Sequence, residues 1–144
     1  MNNLFSLNGK TAVITGGSSG IGAMIAKSFV ENGVKTYITS RKQNALEEKA
    51  KEFSHYGECI ALQSDLSSNK GIIEFVNTIG RLENSMDILV NNAGTSWSAP
   101  IDGFPEHGWD KVMDINLKSV FFLTQQLLPL LKSAGNKEDP SRVI

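Results

Sequence analysis

Thr15-Gly16-Gly17-Ser18-Ser19-Gly20-Ile21-Gly22 constrains the fold more than any other stretch of this chain. An apolar run, Ala12-Val13-Ile14, enters it, and a helical pattern of Ile21, Ile25 and Phe29 with Ala26 and Val30 leaves it. Glycines so placed mark a strand-to-helix turn, where a mononucleotide-binding unit needs them. Unpaired N–H groups at a helix N-terminus carry partial positive charge and attract phosphate. Glycine lets the backbone come close to an anion, and Gly22 suits a point where the helix must lie against its strand. The spacing is Gly16-x-x-x-Gly20-x-Gly22, which differs from G-x-G-x-x-G, and no G-x-x-x-x-G-K is present. The same glycines also suit a tight Gly/Ser turn that binds nothing, so the rest of the chain must decide.

That remainder alternates strands and helices. Asn32-Gly33 stops the first helix, and residues 34–39, rich in β-branched side chains, read as the second strand. A helix is predicted over 43–56, with Ala45, Leu46, Ala50 and Phe53 inward, followed by a strand over 59–62. Ile72, Ile73, Val76, Ile79 and Leu82 mark a helix over 69–83, and residues 86–90 form a fourth strand. Residues 95–108 are predicted as loop, with Trp97 and Trp109 as packing anchors and His107 in a structural role. Two helical stretches, 109–116 and 117–133, read as one bent helix, apolar around much of its girth and so covered on more than one side. A polar connection over 134–140 leads to the start of a fifth strand at 142–144. The expected fold is α/β: a doubly wound, right-handed parallel sheet of Rossmann type, order 3-2-1-4 with a stub of strand five.

Chemistry concentrates at the strand ends. About 20 residues past such a glycine turn, an NAD-binding unit places an acidic residue on the ribose 2′-hydroxyl. Here Ser40-Arg41-Lys42 occupy that place. A guanidinium pairs with a 2′-phosphate that a carboxylate would repel, so NADP(H) is predicted, with Arg41 as main contact and Lys42 as helper. The alternative is a solvated basic pair at a helix start. Asp65 sits at the carboxyl end of strand three, where it suits either an adenine amino group or the N-terminus of the helix that follows. Asn91-Asn92-Ala93-Gly94 end strand four over the same cleft, and Asn and Gly favour plain turns as well.

Composition narrows the classes. The 144 residues suit one domain, able to bury about two-thirds of its unfolded surface. A net charge of −1, from 14 basic and 15 acidic residues, argues against nucleic acid or an anionic membrane as partner. The single Cys59 excludes an internal disulfide, fits a reducing compartment and reads as a buried thiol rather than a metal ligand. The first seven residues lack a basic stretch and a long apolar core, and no apolar run is long enough to span a bilayer, so a cytoplasmic protein is expected. Leu4, Phe5 and Leu7 form a short apolar arm, and His55 reads as a surface residue at a frayed helix end.

Taken together, Thr15-Gly16-x-x-x-Gly20-Ile21-Gly22, Asp65-Leu66, Asn91-Asn92-Ala93-Gly94 and Asn116 resemble the short-chain dehydrogenases/reductases in order and spacing. Thr95-Ser96-Trp97, Gly108-Trp109-x-Lys111-Val112-Met113 and Gln125-Gln126-Leu127-Leu128-Pro129-Leu130-Leu131 are similar to the rhamnolipid-biosynthesis type of NADPH-dependent 3-oxoacyl-[acyl-carrier-protein] reductase. The resemblance implies that Gly16, Gly20 and Gly22 shape the pyrophosphate turn, with Ser18 and Ile21 near the phosphates. Ser19 stands where related NADP enzymes often carry a basic residue. Asp65-Leu66 would meet the adenine, and Asn91, Ala93 and Gly94 the nucleoside. Asn116 would belong to an Asn-Ser-Tyr-Lys tetrad, its bent helix holding a water of the proton relay. A small carbonyl or acyl-thioester substrate is implied, with no metal and with homo-oligomers through the helix around 117–133.

The general acid of that family is a Tyr with Lys four residues later. Here Tyr37 is followed by Arg41 and Tyr56 by Ile60 at that spacing. The family's Ser, Tyr and Lys are therefore expected beyond Ile144. The sequence reads as the amino-terminal, NADP-binding portion of such a reductase over 1–144, inactive by itself. The alternative is a non-catalytic fragment that binds nucleotide or contacts a subunit.

Overall fold

A computed structural model describes residues 5–144. The reading of residues 1–4, and with it Leu4 of the apolar arm, lies outside them. Phe5 is exposed, whereas Leu7 packs on the core.

The chain runs β1 (Thr11–Thr15), α1 (Gly20–Glu31), β2 (Lys35–Ser40), α2 (Gln43–Phe53), β3 (Cys59–Gln63), α3 (Asn69–Leu82) and β4 (Ile88–Val90). A 3-10 turn at Ile101–Gly103 precedes α4 (Glu106–Met113), a π-turn (Asp114–Lys118), α5 (Ser119–Ala134) and β5 (Arg142–Val143). The five strands form one sheet in the order β3-β2-β1-β4-β5, and every pairing is parallel. This is the doubly wound sheet expected, with β5 as its short edge.

An all-parallel sheet is covered on both faces, so its central strand is apolar at successive positions. Ala12, Val13 and Ile14 of β1 are all fully buried. Strand alternation sends them to opposite layers. Ala12 and Ile14 join Ile38 and Val90 beneath Ala26 and Val30 of α1 and Leu46 and Phe53 of α2. Val13 joins Tyr37 and Leu89 beneath Ile72, Phe75 and Ile79 of α3 and Leu123, Leu127 and Leu131 of α5.

Several expectations shift. The buried row of α3 is Ile72, Phe75 and Ile79, while Ile73 and Leu82 face out, because a helix presents the i, i+3, i+7 set to one side. Helix α2 stops at Phe53: the Ser54 hydroxyl donates to Ala50 O at 2.7 Å, and Gly57 packs on Val30. Strand β4 begins at Ile88, since the Met86 N–H donates to Leu130 O of α5. Residues 95–108 are not all loop, for α4 starts at Glu106, directly after Pro105. Trp109 is 59% exposed, whereas Trp97 packs against Gly108. The predicted bend is the π-turn. Only one side of α5 is covered, and Phe121, Phe122 and Leu128 face outward together with Leu117 of the π-turn.

Candidate functional site

A cavity of about 690 Å³ opens outside the carboxyl ends of β1 to β4. Its floor begins with the glycine turn. Gly16 (φ +70°) and Gly20 (φ +55°) lie in the left-handed region, which side chains avoid. The N–H groups of Gly16 and Gly17 donate to Thr39 O at 2.8 and 3.2 Å, so β2 anchors the turn. Ser19, the N-cap of α1, is extended and makes no side-chain capping bond, and the first turn of α1 carries no acid. Helix α3 differs: Ser68 Oγ accepts from Gly71 N at 3.1 Å. The start of α1 is thus left uncapped beside the cavity, where an anion suits its orphan donors.

The turn is locked to the end of β4. The buried Thr15 hydroxyl donates to Val90 O (3.3 Å) and accepts from the N–H groups of Asn92 (3.0 Å) and Ala93 (2.9 Å). Asn92 Nδ2 donates back to Thr15 O at 2.9 Å and Gly16 O at 3.4 Å. Gly22 lies under this bracket, where a Cβ would stand 2.4 Å from Asn92 Nδ2 and from Gly16 O. Asn92, rather than Asn91, borders the cavity. The neighbouring Asn91 sends its Nδ2 to Thr124 Oγ1 at 3.4 Å, on the α5 side.

Gly16, Ser18, Ser19, Arg41, Asp65, Leu66, Ala93 and Gly94 all line the cavity. Gly20, Ile21, Gly22, Asn91 and Asn116 do not, and Ile21 is 68% exposed beside it. Ser40, Arg41 and Lys42 form the rim at the tip of β2. Asp65 Oδ1 accepts from the Ser67 hydroxyl (2.6 Å) and N–H (3.1 Å). The Ser67 hydroxyl, then its N–H and the charge of Arg41, hold the Asp65 carboxyl below the usual range against a smaller opposing effect of burial. Asp65 therefore lines the cavity and secures the turn before α3 at once, so its two readings are compatible.

Sequence reasoning missed the opposite wall. His107, Asp110, Lys111, Asp114 and Ile115 line it, spaced as one helical face. Lys111 Nζ sits 5.4 Å from the centroid of Trp97, which meets His107 edge-on at 4.9 Å. Asn116 stands in the π-turn, and both ends of its side-chain amide are engaged. Its Oδ1 accepts from Thr95 N and its Nδ2 donates to Thr95 O, each at 2.9 Å. It clamps the segment that leaves β4.

Other polar candidates lie elsewhere. Tyr37 is buried in the sheet and donates to Glu83 at 2.5 Å. Tyr56 is exposed at the end of α2. Burial pushes the Cys59 thiol up to about 11, which makes it a poor nucleophile. Exposed His55 contacts Lys51 O and Glu52 O of its own helix. Among the described residues, no group of three or more His, Cys, Asp or Glu could hold a metal, and no helix is long and apolar enough to cross a membrane.

A parallel sheet wrapped on both faces, with a cavity at its carboxyl edge beside a glycine turn, is the architecture of dinucleotide-binding α/β proteins. Residues 10–140 match the family model described as short chain dehydrogenase, and the chain belongs to that family. Over 144 residues it is 47% identical to a rhamnolipids biosynthesis 3-oxoacyl-[acyl-carrier-protein] reductase of Pseudomonas aeruginosa, covering 100% of this chain and 56% of that protein. A solved Pseudomonas aeruginosa RhlG/NADP active-site complex superposes with a TM-score of 0.94 at 47% identity, over 99% of this chain and 56% of the other. A metagenomic short-chain oxidoreductase in complex with NADP gives 0.84 at 33% identity, over 90% and 59%. The chain thus spans little more than half the length of these relatives.

Proposed function

We propose that this chain carries the NADP(H)-binding portion of a carbonyl reductase, acting on a 3-oxoacyl thioester or a similar ketone. One observation carries the coenzyme reading. The cavity joins an uncapped helix start at Ser18 and Ser19 to a cationic rim at Arg41 and Lys42, and Ser40 stands where an NAD site carries an acid. The residues fit the group: the α1 donors and the Gly16 turn would take the pyrophosphate, Arg41 the 2′-phosphate, and Asp65 with Leu66 the adenine. Gly20, Ile21, Gly22 and Asn91 would shape that site from its edge. The P. aeruginosa relative's name supports the substrate class.

The bound coenzyme would supply hydride, and the alkoxide so formed needs a proton donor. Tyr37 and Tyr56 do not border the cavity, and neither has a Lys four residues on. The 144 residues alone therefore bind coenzyme without turnover, while Asn116 positions the Thr95 backbone beside the site. One free buried cysteine suits a cytoplasmic setting. The outward Leu117, Phe121 and Leu128 support a contact with a second copy along α5.

Calorimetric titration of the chain with NADPH and NADH tests this reading. Arg41→Asp replaces a charge-assisted contact with repulsion and should weaken NADPH about 10- to 100-fold while sparing NADH. Equal NADPH affinity in the two proteins overturns the 2′-phosphate assignment. Consumption of NADPH by the chain with a 3-oxoacyl thioester overturns the claim that it does not turn over.

A further inference from the structure

The rim arginine is held by more than its own strand. Ser40 and Gln63 are register partners at the ends of β2 and β3. The Ser64 N–H donates to Ser40 O at 3.1 Å, closing the regular ladder. One step further, Gln63 Nε2 donates to Arg41 O at 3.0 Å, so a side-chain amide adds a rung that the backbone no longer supplies. The Lys42 N–H is also tied, to Ser40 Oγ at 3.3 Å. Both peptide planes that flank the Arg41 α-carbon are therefore held: the first through Ser40 O, the second through Arg41 O and Lys42 N. With both planes held, φ and ψ of Arg41 are set, and so is the direction of its Cα–Cβ bond.

We propose that Gln63 is a positioning residue for Arg41, and that preference for the phosphorylated coenzyme depends on it. The inference rests on the coenzyme reading above. Arg41 is exposed at a strand tip, and ordering a long side chain there costs affinity unless its backbone is preorganised. Gln63 is itself exposed on the last strand of the sheet. It lies outside the buried core, which separates the effect from a loss of core packing.

Gln63→Met keeps the length and neutrality of the side chain and removes the donor. In the full chain we expect NADPH affinity to fall about 3- to 10-fold, the worth of one solvent-exposed hydrogen bond, with NADH affinity unchanged. Tm should move by no more than about 2 °C. The effect should vanish in an Arg41→Ala background, because nothing is left to position. Unchanged NADPH affinity in Gln63→Met overturns the proposal, as does equal weakening of NADPH and NADH, or a Gln63→Met effect that persists in Arg41→Ala. Arg41→Ala alone judges the underlying reading: if it leaves NADPH binding intact, the 2′-phosphate contact is absent and the positioning role falls with it.

Discussion

Replacing Gly22 by alanine puts a methyl group where the structure has no room for one. The new Cβ would lie 2.4 Å from both Asn92 Nδ2 and Gly16 O, and 3.0 Å from Gly16 C. Ordinary contact begins near 3.4 Å, so both neighbours must recede by about 1 Å. Two of these atoms are backbone at the phosphate turn, and the third is the amide that ties this turn to β4 through Thr15 O. Overpacking of this kind costs about 1–3 kcal/mol, and a lost bracket hydrogen bond adds about 0.5–1.5 kcal/mol. The expected loss of stability is about 2–4 kcal/mol, a drop in Tm of about 6–16 °C for a chain of this size. Gly80→Ala is the control. It lies inside α3, where a Cβ meets nothing within 4 Å, and should gain about 0.5–1 kcal/mol from helix propensity. Urea and thermal unfolding followed by circular dichroism measure both. The steric argument fails if Gly22→Ala unfolds together with the wild type, or if Gly80→Ala loses as much.

Two further predictions concern other parts of the molecule. Burial, then the bond to Glu83, pushes the Tyr37 phenol up to about 12, so its contribution is intact below pH 10 and is lost as pH rises toward 12. Tyr37→Phe should therefore be less stable than wild type at pH 8 by about 1–3 kcal/mol, with the gap closing above pH 10. A gap of constant size from pH 8 to 11 in urea titrations excludes this linkage. On α5, Phe121→Glu should lower the molar mass seen by sedimentation equilibrium if the exposed Leu117, Phe121 and Leu128 face meets a second copy. An unchanged mass removes that face from any assembly.

The sheet was legible because its signals are local and repetitive: apolar runs of strand length, each separated by a helical period. The order of the strands followed from the Rossmann-type pattern that the glycine turn implies. The glycine turn and the Ser40-Arg41-Lys42 tip were legible as well, since both depend on residue type at a fixed place after a strand. What stayed hidden depends on direction. Asn91 and Asn92 are adjacent and chemically identical, and only the pleat decides that Asn92 brackets the glycine turn while Asn91 turns to Thr124. The wall made by Asp110, Lys111 and Asp114 received no role from the sequence, because nothing local says that its i, i+4 face lines a cleft. Trp109 and Trp97 look alike in the sequence, yet only Trp97 has a glycine, Gly108, beneath its ring.

The same contrast explains how the site is built. Four polar side chains at or around the site are aimed at backbone: Thr15 and Asn92 at each other's peptide groups, Asn116 at both groups of Thr95, Gln63 at Arg41 O. Thr15, Asn92 and Gln63 act where a strand ends and the sheet ladder can no longer hold the chain, and Asn116 acts in the loop beyond β4. The free donors of α1 and the cation at Arg41 are then presented on a frame that need not reorganise when an anion arrives, and preorganised dipoles and charges bind more tightly than mobile ones. A substitution at a framing residue should therefore act on affinity through geometry. A substitution at Arg41 should act through charge, and one at Gln63 should act on the same discrimination through the direction in which Arg41 is held.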